Sequence, residues 1–415
     1  MIWRALYTLA LYALLPFVLL RLWWRGRAEP GYRGHIGERF GHYRFTPERA
    51  VLWLHAVSVG EARASAPLLR ALQQEFADHE VIVTCSTATG RETLEQMYGE
   101  SVSIAWLPYD YPGSVRRFVG HFRPRLGLLM ETEIWPNLLA GCEAFGVPVA
   151  LANARLSENS ARGYDKWSGL ARPAFARLAA VCAQSDADAA RLAALGAKQV
   201  SVCGNLKFDI SPDSAQVEAG RAWRASLARP VLVLASTREG EEKLLLDALA
   251  LARPDALAVF VPRHPQRFDA VADLIGGAVR RRSRGEDPRP EDRCFLGDTM
   301  GEMAFYYAAA DVAIIGGSFL PLGGQNLIEA CAVGTPVVFG PSMHNFAEAS
   351  ALALAAEAAV QVRDAAEAIR VGAGLLDDRQ RRERMAEAGL RLRAANRGAV
   401  QNHITVCREL LGKKR

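Results

Sequence analysis

Cysteine is sparse and scattered in this sequence, and closely spaced Cys or His pairs are missing. The cysteines lie singly, mostly inside apolar runs, and none belongs to a CxxC pair. Isolated cysteines of this kind indicate a reducing compartment. Zinc is normally held by closely spaced ligands, so the sequence predicts no metal site. The seven cysteines are Cys85, Cys142, Cys182, Cys203, Cys294, Cys331 and Cys407.

Two further absences exclude whole classes of function. The GxGxxG fingerprint of dinucleotide-binding folds is missing, so a nicotinamide or flavin cofactor is not supported. Dense Lys/Arg runs interleaved with aromatic residues are also missing, so the formal net charge of +5 does not indicate a nucleic-acid partner. A modest positive charge favours small anionic ligands, such as a sugar nucleotide or an anionic lipid.

The chain does have enough apolar sequence for two cores. It is 415 residues long, with 50% hydrophobic and 23% charged residues, a composition typical of soluble globular enzymes. Because a domain usually takes about 100 to 200 residues, this length predicts two domains with a small appendage.

The first residues depart from the globular pattern. Residues 5–20 carry no charge, and a basic cluster follows at 21–33. The segment reaches the roughly 20 apolar residues of a membrane span only if Arg4 and Arg21 extend toward the headgroups. We expect residues 1–27 to be a retained anchor that spans the bilayer or lies in its interface; a buried hydrophobic helix is the alternative. The basic cluster predicts that the body stays cytoplasmic.

From residue 51 onward, short apolar runs alternate with amphipathic stretches, the pattern of a parallel sheet with crossover helices. The pattern lapses after Asp209 and restarts at residue 231, which predicts two α/β units. The predicted strands are 51–57, 81–85, 126–130, 147–152 and 200–203 in the first unit, and 231–235, 257–262, 312–316 and 336–340 in the second.

We therefore expect two Rossmann-like domains that face a cleft, one at 28–212 and the other at 213–395. The end of the chain, 396–415, has helical spacing and can pack back on the first domain. The stretch 280–293 is rich in Arg, Glu and Pro, which predicts a solvated surface loop rather than a functional basic patch.

A strand runs into a turn of small residues and then a helix at 53–61. Free N–H groups at the start of a helix favour a phosphate or carboxylate, and Ser58 and Gly60 would allow its close approach. The alternative is a turn that only connects strand and helix.

A glycine-rich loop at 316–330 joins another strand end to a helix start. Asn326 can cap this helix and present N–H groups to a phosphate. Glu329 can accept hydrogen bonds from both hydroxyls of a ribose, because a carboxylate is a pure acceptor. Together they are typical of a sugar-nucleotide site; a structural turn with a capping Asn is the alternative.

Three charged residues after other predicted strands, and one just after the anchor, complete the set. Arg263 follows the strand 257–262 and can grip a phosphate, unless it forms a surface salt bridge. Glu131 follows the strand 126–130, and Lys207 follows the strand 200–203. Glu38 lies just after the anchor, as a base for a lipid-borne substrate or merely a surface carboxylate. Glycosyl transfer needs such a base, and cations to hold the departing phosphate.

Seven sequence blocks, in this order, resemble the Kdo (3-deoxy-manno-octulosonic acid) transferases of lipopolysaccharide assembly. The resemblance extends from the anchor to about residue 348. The blocks are GERFG at 37–41, HAVSVGE at 55–61, ETEIWPN at 131–137, NARLS at 153–157, GNLKFD at 204–209, PRHP at 262–265 and GGQNLIE at 323–329.

The resemblance implies a GT-B fold, with an N-terminal acceptor domain and a C-terminal nucleotide-sugar donor domain. It further implies CMP-Kdo as donor, a lipid A precursor (lipid IVA) as acceptor, inversion at the anomeric carbon, and no metal or other cofactor. The protein would work at the cytoplasmic side of the inner membrane. Glu38 would be the general base, and Glu131 and Lys207 would assist the transition state. The residues that would hold CMP are Pro262, Arg263, Met300, Gly301, Glu302, Asn326, Leu327, Ile328 and Glu329.

Two other functions fit the same pattern. One is a GT-B transferase or epimerase that uses a nucleoside diphosphate sugar. The other is a noncatalytic, membrane-associated binding protein that has kept the fold. Turnover of CMP-Kdo or of UDP sugars discriminates between the enzymes, and substitution of Glu38 tests for catalysis.

Overall fold

The computed structural model describes residues 2–251, 256–276 and 278–412. It divides into two compact units: unit 1 is Met1–Ile210 with Arg397–Arg415, and unit 2 is Ser211–Asn396. Each unit contains a seven-stranded sheet, and the strand pairings are parallel. The predicted α/β fold with two Rossmann-like domains is therefore confirmed.

The sheet of unit 1 is buried on both faces. Its strands are β1 Ala50–His55, β2 His79–Cys85, β3 Ser103–Trp106, β4 Leu126–Met130, β5 Val149–Ala154, β6 Ala180–Ala183 and β7 Val200–Val202. Successive side chains of a strand point to opposite faces, so Leu52 and Leu54 of β1 join one core cluster while Val51 and Trp53 join the other. This double burial explains why the strands read as continuous apolar runs.

Helices cover both faces of this sheet. They are α1 Ile2–Ala28, α2 Val59–Ala64, α3 Ala66–Glu75, α4 Ala88–Tyr98, α5 Pro112–Phe122, α6 Pro136–Ala144, α7 Glu158–Lys166, α8 Ser168–Phe175 and α9 Asp186–Ala194. Short 3-10 helices lie at Pro30–Arg33, Ile36–Phe40, Gly99–Ser101 and Leu206–Asp209. Side-chain caps begin several helices: Thr87 accepts the Gly90 N–H at 3.1 Å, and Ser157 accepts the Ser160 N–H at 3.1 Å.

The strand order in unit 1 is β3-β2-β1-β4-β5-β6-β7. The chain builds the sheet outward from β1 in one direction and then from β4 in the other. A topological switch point therefore lies between the carboxyl ends of β1 and β4, and open α/β sheets bind their ligands at such points.

Unit 2 repeats this plan. Its strands are β8 Val231–Thr237, β9 Leu257–Pro262, β10 Arg280–Arg281, β11 Cys294–Leu296, β12 Val312–Ile315, β13 Val337–Phe339 and β14 Ala359–Gln361, in the order β10-β11-β9-β8-β12-β13-β14. Its helices are α10 Ser214–Ser226, α11 Glu241–Ala250, α12 Phe268–Ile275, α13 Met303–Ala309, α14 Ile328–Val333, α15 Ala347–Ala355, α16 Ala365–Asp377 and α17 Arg379–Asn396, with 3-10 turns at Pro265–Arg267, Arg282–Arg284 and His344–Phe346. The switch point of this sheet lies between β8 and β12.

The prediction of a solvated loop at 280–293 is wrong at its start. Arg280–Arg281 form β10 at the edge of the sheet, and the next residues form a 3-10 helix. Edge strands are often short and charged, which prevents pairing with other chains. A two-residue strand of arginines has no apolar periodicity from which it could be predicted.

The predicted N-terminal apolar helix is confirmed as α1. By length and composition its Ile2–Arg27 segment is able to cross a membrane. Only 6% of its most apolar stretch of 18 residues is buried. The exposed apolar side chains include Leu9, Phe17, Leu20 and Trp24. Exposed apolar surfaces of this kind mark sites that contact a membrane or another protein.

The last helix, α18 Ala399–Gly412, belongs to unit 1 and packs against α3. The carboxylate of Asp209 accepts the N–H groups of Gly398 at 2.8 Å and Val400 at 2.6 Å, which caps the start of this helix. Ile404 and Cys407 of α18 are buried in the unit 1 core.

We expect Asp209→Ala to loosen α18. Loss of a helix cap costs roughly 1 kcal/mol, so amide exchange of residues 399–412 should become about fivefold faster in hydrogen exchange mass spectrometry. Arg408→Ala is the matched control on the same helix, because it removes only a largely exposed ion pair with Glu75 and should change exchange less than about twofold. Equal effects of the two substitutions would contradict the capping role.

Candidate functional site

The switch point of unit 1 brings together Ser58, Gly60 and Glu131. Ser58 and Gly60 follow β1, Glu131 follows β4, and the two strands pair directly, with His55 opposite Leu129. Ser58 has the extended backbone of a helix N-cap before α2, and Gly60 is exposed in the first turn of that helix. These three predicted residues therefore lie at one edge of one sheet.

A carboxylate of the chain itself occupies the start of α2. Glu61 accepts the backbone N–H of Val57 at 2.8 Å, and its other oxygen lies 3.5 Å from the Ser58 hydroxyl. The predicted anion-binding turn is thus already occupied by the carboxyl group of Glu61. The sequence predicted a helix start in this segment but gave no sign of this contact.

Burial raises the pKa of Glu61 to about 8; the Val57 N–H opposes this rise, and the nearby carboxylates of Glu131 and Glu133 add to it. Burial also raises the pKa of Glu133, whose carboxylate accepts the Trp135 indole N–H at 2.8 Å. The switch point of unit 1 therefore holds three neighbouring carboxyl groups, and Glu61 keeps a proton at neutral pH.

Glu131 is held in place by its backbone and by a cation. Its φ of +55° lies in the left-handed region that residues other than glycine rarely adopt. Its carboxylate accepts the Nε–H of Arg155 at 2.8 Å, and Arg155 follows the neighbouring strand β5. The Thr132 hydroxyl donates to the Arg155 carbonyl, which fixes the same turn.

Lys207 lies in the 3-10 helix Leu206–Asp209, after the edge strand β7. Its backbone N–H donates to the side chain of Asn205 at 3.1 Å, and the Leu206 N–H donates to the side chain of Asn153 at 3.0 Å. These contacts hold the turn of Lys207 against the carboxyl end of β5. The sheet order places β5 and β6 between Lys207 and the strand that carries Glu131.

Glu38 is buried, with 5% of its surface exposed, so the alternative of a surface carboxylate is wrong. Its Oε2 accepts the Nη1–H of Arg91 at 3.0 Å and the backbone N–H of Trp106 at 2.9 Å. Its Oε1 lies 3.3 Å from Nδ1 of His35, a half-exposed side chain. One carboxylate oxygen is thus fixed by two donors, and the other lies beside the half-exposed His35.

The turn around Glu38 depends on Gly41. This residue has a φ of +81°, and a Cβ at this position would lie 2.4 Å from the carbonyl oxygen of Ser114 on α5. Only glycine allows this approach, which seats the segment of Glu38 on α5.

A second charge, Arg39, is buried beside Glu38. Its guanidinium lies 3.8 Å from the ring centroid of Trp106, and its Nε and Nη2 have no hydrogen-bond partner among the described residues. Burial lowers the pKa of Arg39, and the neighbouring Tyr109 opposes this. Aromatic faces, including those of Tyr32 and Tyr109, take the place of a carboxylate partner.

The glycine-rich loop of unit 2 is held by Glu241. This fully buried carboxylate accepts the N–H groups of Gly317 at 2.6 Å, Phe319 at 2.9 Å and Arg238 at 3.0 Å. Arg238 follows β8 and Gly317 follows β12, so Glu241 ties together both sides of the switch point. The loop is therefore a rigid platform.

Asn326 and Glu329 lie at the end of this loop. The Asn326 side chain accepts the Ile328 N–H at 3.1 Å and donates to Glu329 Oε1 at 2.9 Å. Leu327 and Ile328 are buried, and α14 begins at Ile328. The buried hydroxyl of Tyr307 donates to the Asn326 carbonyl at 3.3 Å. Burial raises the pKa of Tyr307, and the nearby Glu329 adds to this.

Positive charge gathers on the neighbouring strand ends. Pro262 ends β9, and the Arg263 N–H donates to the Thr237 carbonyl of β8 at 3.0 Å. Burial lowers the pKa of His264, and the nearby Arg238 and Arg263 lower it further. Two arginines thus lie near His264, and local positive charge of this kind suits a phosphate.

Met300, Gly301 and Glu302 form a turn after β11, on the far side of β9. Met300 is exposed, and Gly301 has a φ of +81°. Glu302 accepts two hydrogen bonds from Arg282, at 3.0 and 3.1 Å, which lower its pKa. Its carboxylate is therefore occupied by an arginine from the stretch that the sequence predicted to be a solvated loop.

The fold also brings together Cys182, Cys203 and His403, whose ligand atoms lie within 4.8 Å of one another. Their wide sequence spacing gave no sign of this. The Asn153 N–H donates to Nε2 of His403 at 2.8 Å, and Nδ1 lies 2.6 Å from the Ala399 carbonyl. Both imidazole nitrogens are therefore engaged by the backbone, and the group could bind a metal through the imidazole only by breaking one of these contacts.

Comparison with known proteins adds a family context. The family described as 3-Deoxy-D-manno-octulosonic-acid transferase (kdotransferase) matches residues 34–210. The chain is 46% identical to a 3-deoxy-D-manno-octulosonic acid transferase of Bordetella pertussis, over 99% of this chain and 100% of that protein. It is 34% identical to one of Haemophilus influenzae, over 99% of each.

Solved structures show the same fold at low sequence identity. Anabaena Alr3699/HepE in complex with UDP is 16% identical, with a TM-score of 0.59 over 88% of this chain and 100% of that chain. A putative UDP-N-acetylglucosamine 2-epimerase from Listeria monocytogenes is 13% identical, with a TM-score of 0.59 over 89% and 98%. The predicted GT-B fold class is confirmed.

We expect the free energy of unfolding of the wild type to decrease as pH rises, and that of Glu61→Gln to decrease less. The pKa of Glu61 is about 8 in the folded protein and 4.5 ordinarily, so between these values only the folded state keeps the proton. Stability then falls as pH rises from about 4.5 to about 8. Over this window the melting temperature of the wild type should fall further than that of Glu61→Gln. Parallel curves for the two proteins would contradict the raised pKa; the exposed Glu95→Gln is the control.

We expect Glu241→Ala to release the glycine-rich loop. Each N–H group left without an acceptor costs roughly 1–3 kcal/mol, so the amides of residues 316–327 should exchange at least tenfold faster. Glu241→Gln keeps one acceptor oxygen and should be intermediate. Glu239→Ala, an exposed neighbour on the same turn, should leave exchange unchanged; unchanged exchange in Glu241→Ala would show that the carboxylate does not hold the loop.

Proposed function

The chain belongs to the 3-deoxy-D-manno-octulosonic acid (Kdo) transferases, and we propose that it moves Kdo from CMP-Kdo to a lipid A precursor such as lipid IVA. Among the geometric observations, the one that carries this proposal is the switch point of unit 2. There a rigid glycine-rich loop, a ribose-binding candidate and two arginines meet at one sheet edge. This combination suits a nucleoside monophosphate bearing a sugar.

The proposed donor site uses the residues at this edge. Arg263 binds the phosphate of CMP, with Arg238 adding positive charge beside it. Leu327 and Ile328 lie at the start of α14; the Ile328 N–H donates to Asn326, and the Leu327 N–H favours an anion. Glu329, oriented by Asn326, accepts the ribose hydroxyls.

Further donor contacts come from the turns on the neighbouring strands. Pro262 and the turn of Met300, Gly301 and Glu302 line the cytidine side of the proposed site. The arginines neutralise the charge that builds up on the departing phosphate, a service that a divalent cation supplies in many other enzymes. We propose that transfer proceeds without a metal or other cofactor.

Glu38 acts as the general base on the acceptor hydroxyl in this proposal. The acceptor oxygen attacks the anomeric carbon of Kdo as the bond to the CMP phosphate breaks, and the acceptor proton moves to Glu38. Oε1 is the receiving atom, because Oε2 already accepts from Arg91 and Trp106. A single displacement of this kind inverts the anomeric configuration.

Glu131 and Lys207 stabilise the transition state from the edge of the unit 1 sheet. Arg155 orients the carboxylate of Glu131, and Asn205 fixes the backbone of Lys207. Ser58 and Gly60, on the same edge, contribute to binding of the substrate, beside the Glu61 carboxyl group that already accepts the Val57 N–H. The apolar helix α1 supports a location at the inner membrane, on its cytoplasmic side, where a lipid-borne acceptor is concentrated at the bilayer surface.

The test is incubation with CMP-Kdo and lipid IVA, followed by mass spectrometry of the lipid. We expect the wild type to add Kdo, and Glu38→Gln to lower the rate roughly 100-fold or more, because general bases contribute about that much. Binding of CMP by calorimetry should be unchanged. Glu95→Gln is the matched control, since Glu95 is an exposed second partner of Arg91 and should keep full activity.

Two outcomes would contradict the proposal. Full activity of Glu38→Gln would remove the assigned base. Turnover of UDP sugars without any turnover of CMP-Kdo would favour an enzyme for nucleoside diphosphate sugars on the same fold.

A further inference from the structure

A groove of about 720 Å³ lies within unit 1, between α1 and the helices α5 and α6. This volume is within the roughly 300–1,000 Å³ of typical ligand sites. Much of its wall is apolar and exposed, including Leu9 and Tyr12 of α1 and Phe145 at the end of α6. The same helix α1 carries the exposed apolar side chains described above, so the groove opens beside an exposed apolar surface.

Two arginines, Arg4 of α1 and Arg116 of α5, also line this groove. In the part of the chain that the structure describes, neither forms an ion pair. Arginines without carboxylate partners at an apolar groove are the complement of a ligand that is apolar at one end and anionic at the other.

A buried acidic residue, Asp110, interacts electrostatically with Arg4 but forms no ion pair with either arginine among the described residues. Asp110 is buried beneath the groove, where it accepts the N–H groups of Asn137 at 3.0 Å and Leu138 at 2.7 Å, at the start of α6. Burial raises the pKa of Asp110 to about 7, against the lowering effects of these two N–H groups, the Tyr7 hydroxyl and Arg4. Asp110 therefore carries only part of a negative charge at neutral pH.

The first half of α1 lies against unit 1 rather than apart from it. The side chains of Thr8 and Asn137 are hydrogen-bonded at 3.0 Å, and the Tyr111 hydroxyl donates to the Leu11 carbonyl at 3.1 Å. A Cβ on Gly169 of α8 would lie 2.4 Å from the Trp3 ring. These contacts occupy one side of α1 over three turns, and that side would have to leave the protein before the helix could cross a bilayer.

We propose that this groove binds one anionic phospholipid of the bilayer, with an acyl chain against Leu9, Tyr12 and Phe145 and its phosphate between Arg4 and Arg116. In this arrangement α1 lies along the membrane surface and does not span it. Its outer apolar side chains enter the lipid, and its inner side stays on unit 1. The bound lipid therefore fixes the height of unit 1 at the level of the headgroups.

Helix α5 connects this lipid site to Glu38. Arg116 faces the groove, whereas Arg117 donates to the Phe40 carbonyl at 2.6 Å, and Ser114 lies against Gly41. The segment of Glu38 is thus seated on the helix that carries the lipid arginine. If the proposed function holds, the lipid positions Glu38 where the hydroxyl of an amphiphilic acceptor emerges from the bilayer.

The test is native mass spectrometry of the full chain in detergent with added phosphatidylglycerol or phosphatidylcholine. We expect one phosphatidylglycerol per wild-type chain, and at least about tenfold less retention in the double variant Arg4→Gln/Arg116→Gln, given roughly 1 kcal/mol for each arginine. Ala144→Trp, which fills the groove without changing charge, should lower retention to a similar degree. Arg21→Gln/Arg27→Gln removes the same charge from α1 outside the groove and should retain the lipid.

Three outcomes would overturn the lipid site: retention by Arg4→Gln/Arg116→Gln, equal loss in Arg21→Gln/Arg27→Gln, or equal retention of phosphatidylcholine by the wild type. Displacement of the lipid by inorganic phosphate alone would show a phosphate site without the acyl groove, and would also overturn it. Because lipid retention is measured without CMP-Kdo, its failure leaves the transfer assay unaffected. Failure of Kdo transfer with lipid retained would overturn only the proposed function.

Discussion

All strand-to-helix turns of a parallel sheet leave from one edge, and this constraint determines where chemistry can take place in both units. In unit 1 it collects Glu61 and Glu131 from turns that are far apart in sequence. In unit 2 it collects Arg238, Arg263 and the glycine-rich loop at the ends of adjacent strands. The strand interiors are packed on both faces, so the turns at this edge are the part of each sheet that remains available for binding.

Carboxylates that accept backbone N–H groups then hold these turns in shape. Glu241 accepts three such groups, Asp110 and Asp209 accept two each, and Glu38 accepts one. A buried carboxylate loses its water, and charge-assisted hydrogen bonds replace part of that solvation. Glu61 has one N–H donor and two acidic neighbours, which is too little compensation, and it keeps its proton instead. Whether a buried acidic side chain keeps its proton thus depends on the balance between its loss of water and the hydrogen bonds that it accepts.

The sequence allowed prediction of the long apolar strands, of the two-unit α/β fold and of the turns that follow those strands. The strands 126–130 and 257–262 have the predicted bounds because each is a continuous apolar run. Strands β3 and β6 were not predicted, since SIAW and AVCA are short and rich in small residues. The burial of Glu38 could not be predicted, because the residue that fixes it, Arg91, lies 53 positions away. The role of Glu241 could not be predicted either, because Gly317, whose N–H it accepts, lies 76 positions later in the chain.

Unit 2 is an insertion into unit 1, because the chain leaves unit 1 after Ile210 and returns at Arg397. The returning helix α18 contributes Ile404, Cys407 and Leu410 to the unit 1 core. During synthesis the first unit therefore cannot close its core until α18 has left the ribosome, whereas the inserted unit is continuous and can fold earlier. A nascent chain would pass through a stage in which the second unit is folded, while the first unit still exposes the apolar surface that α18 later covers.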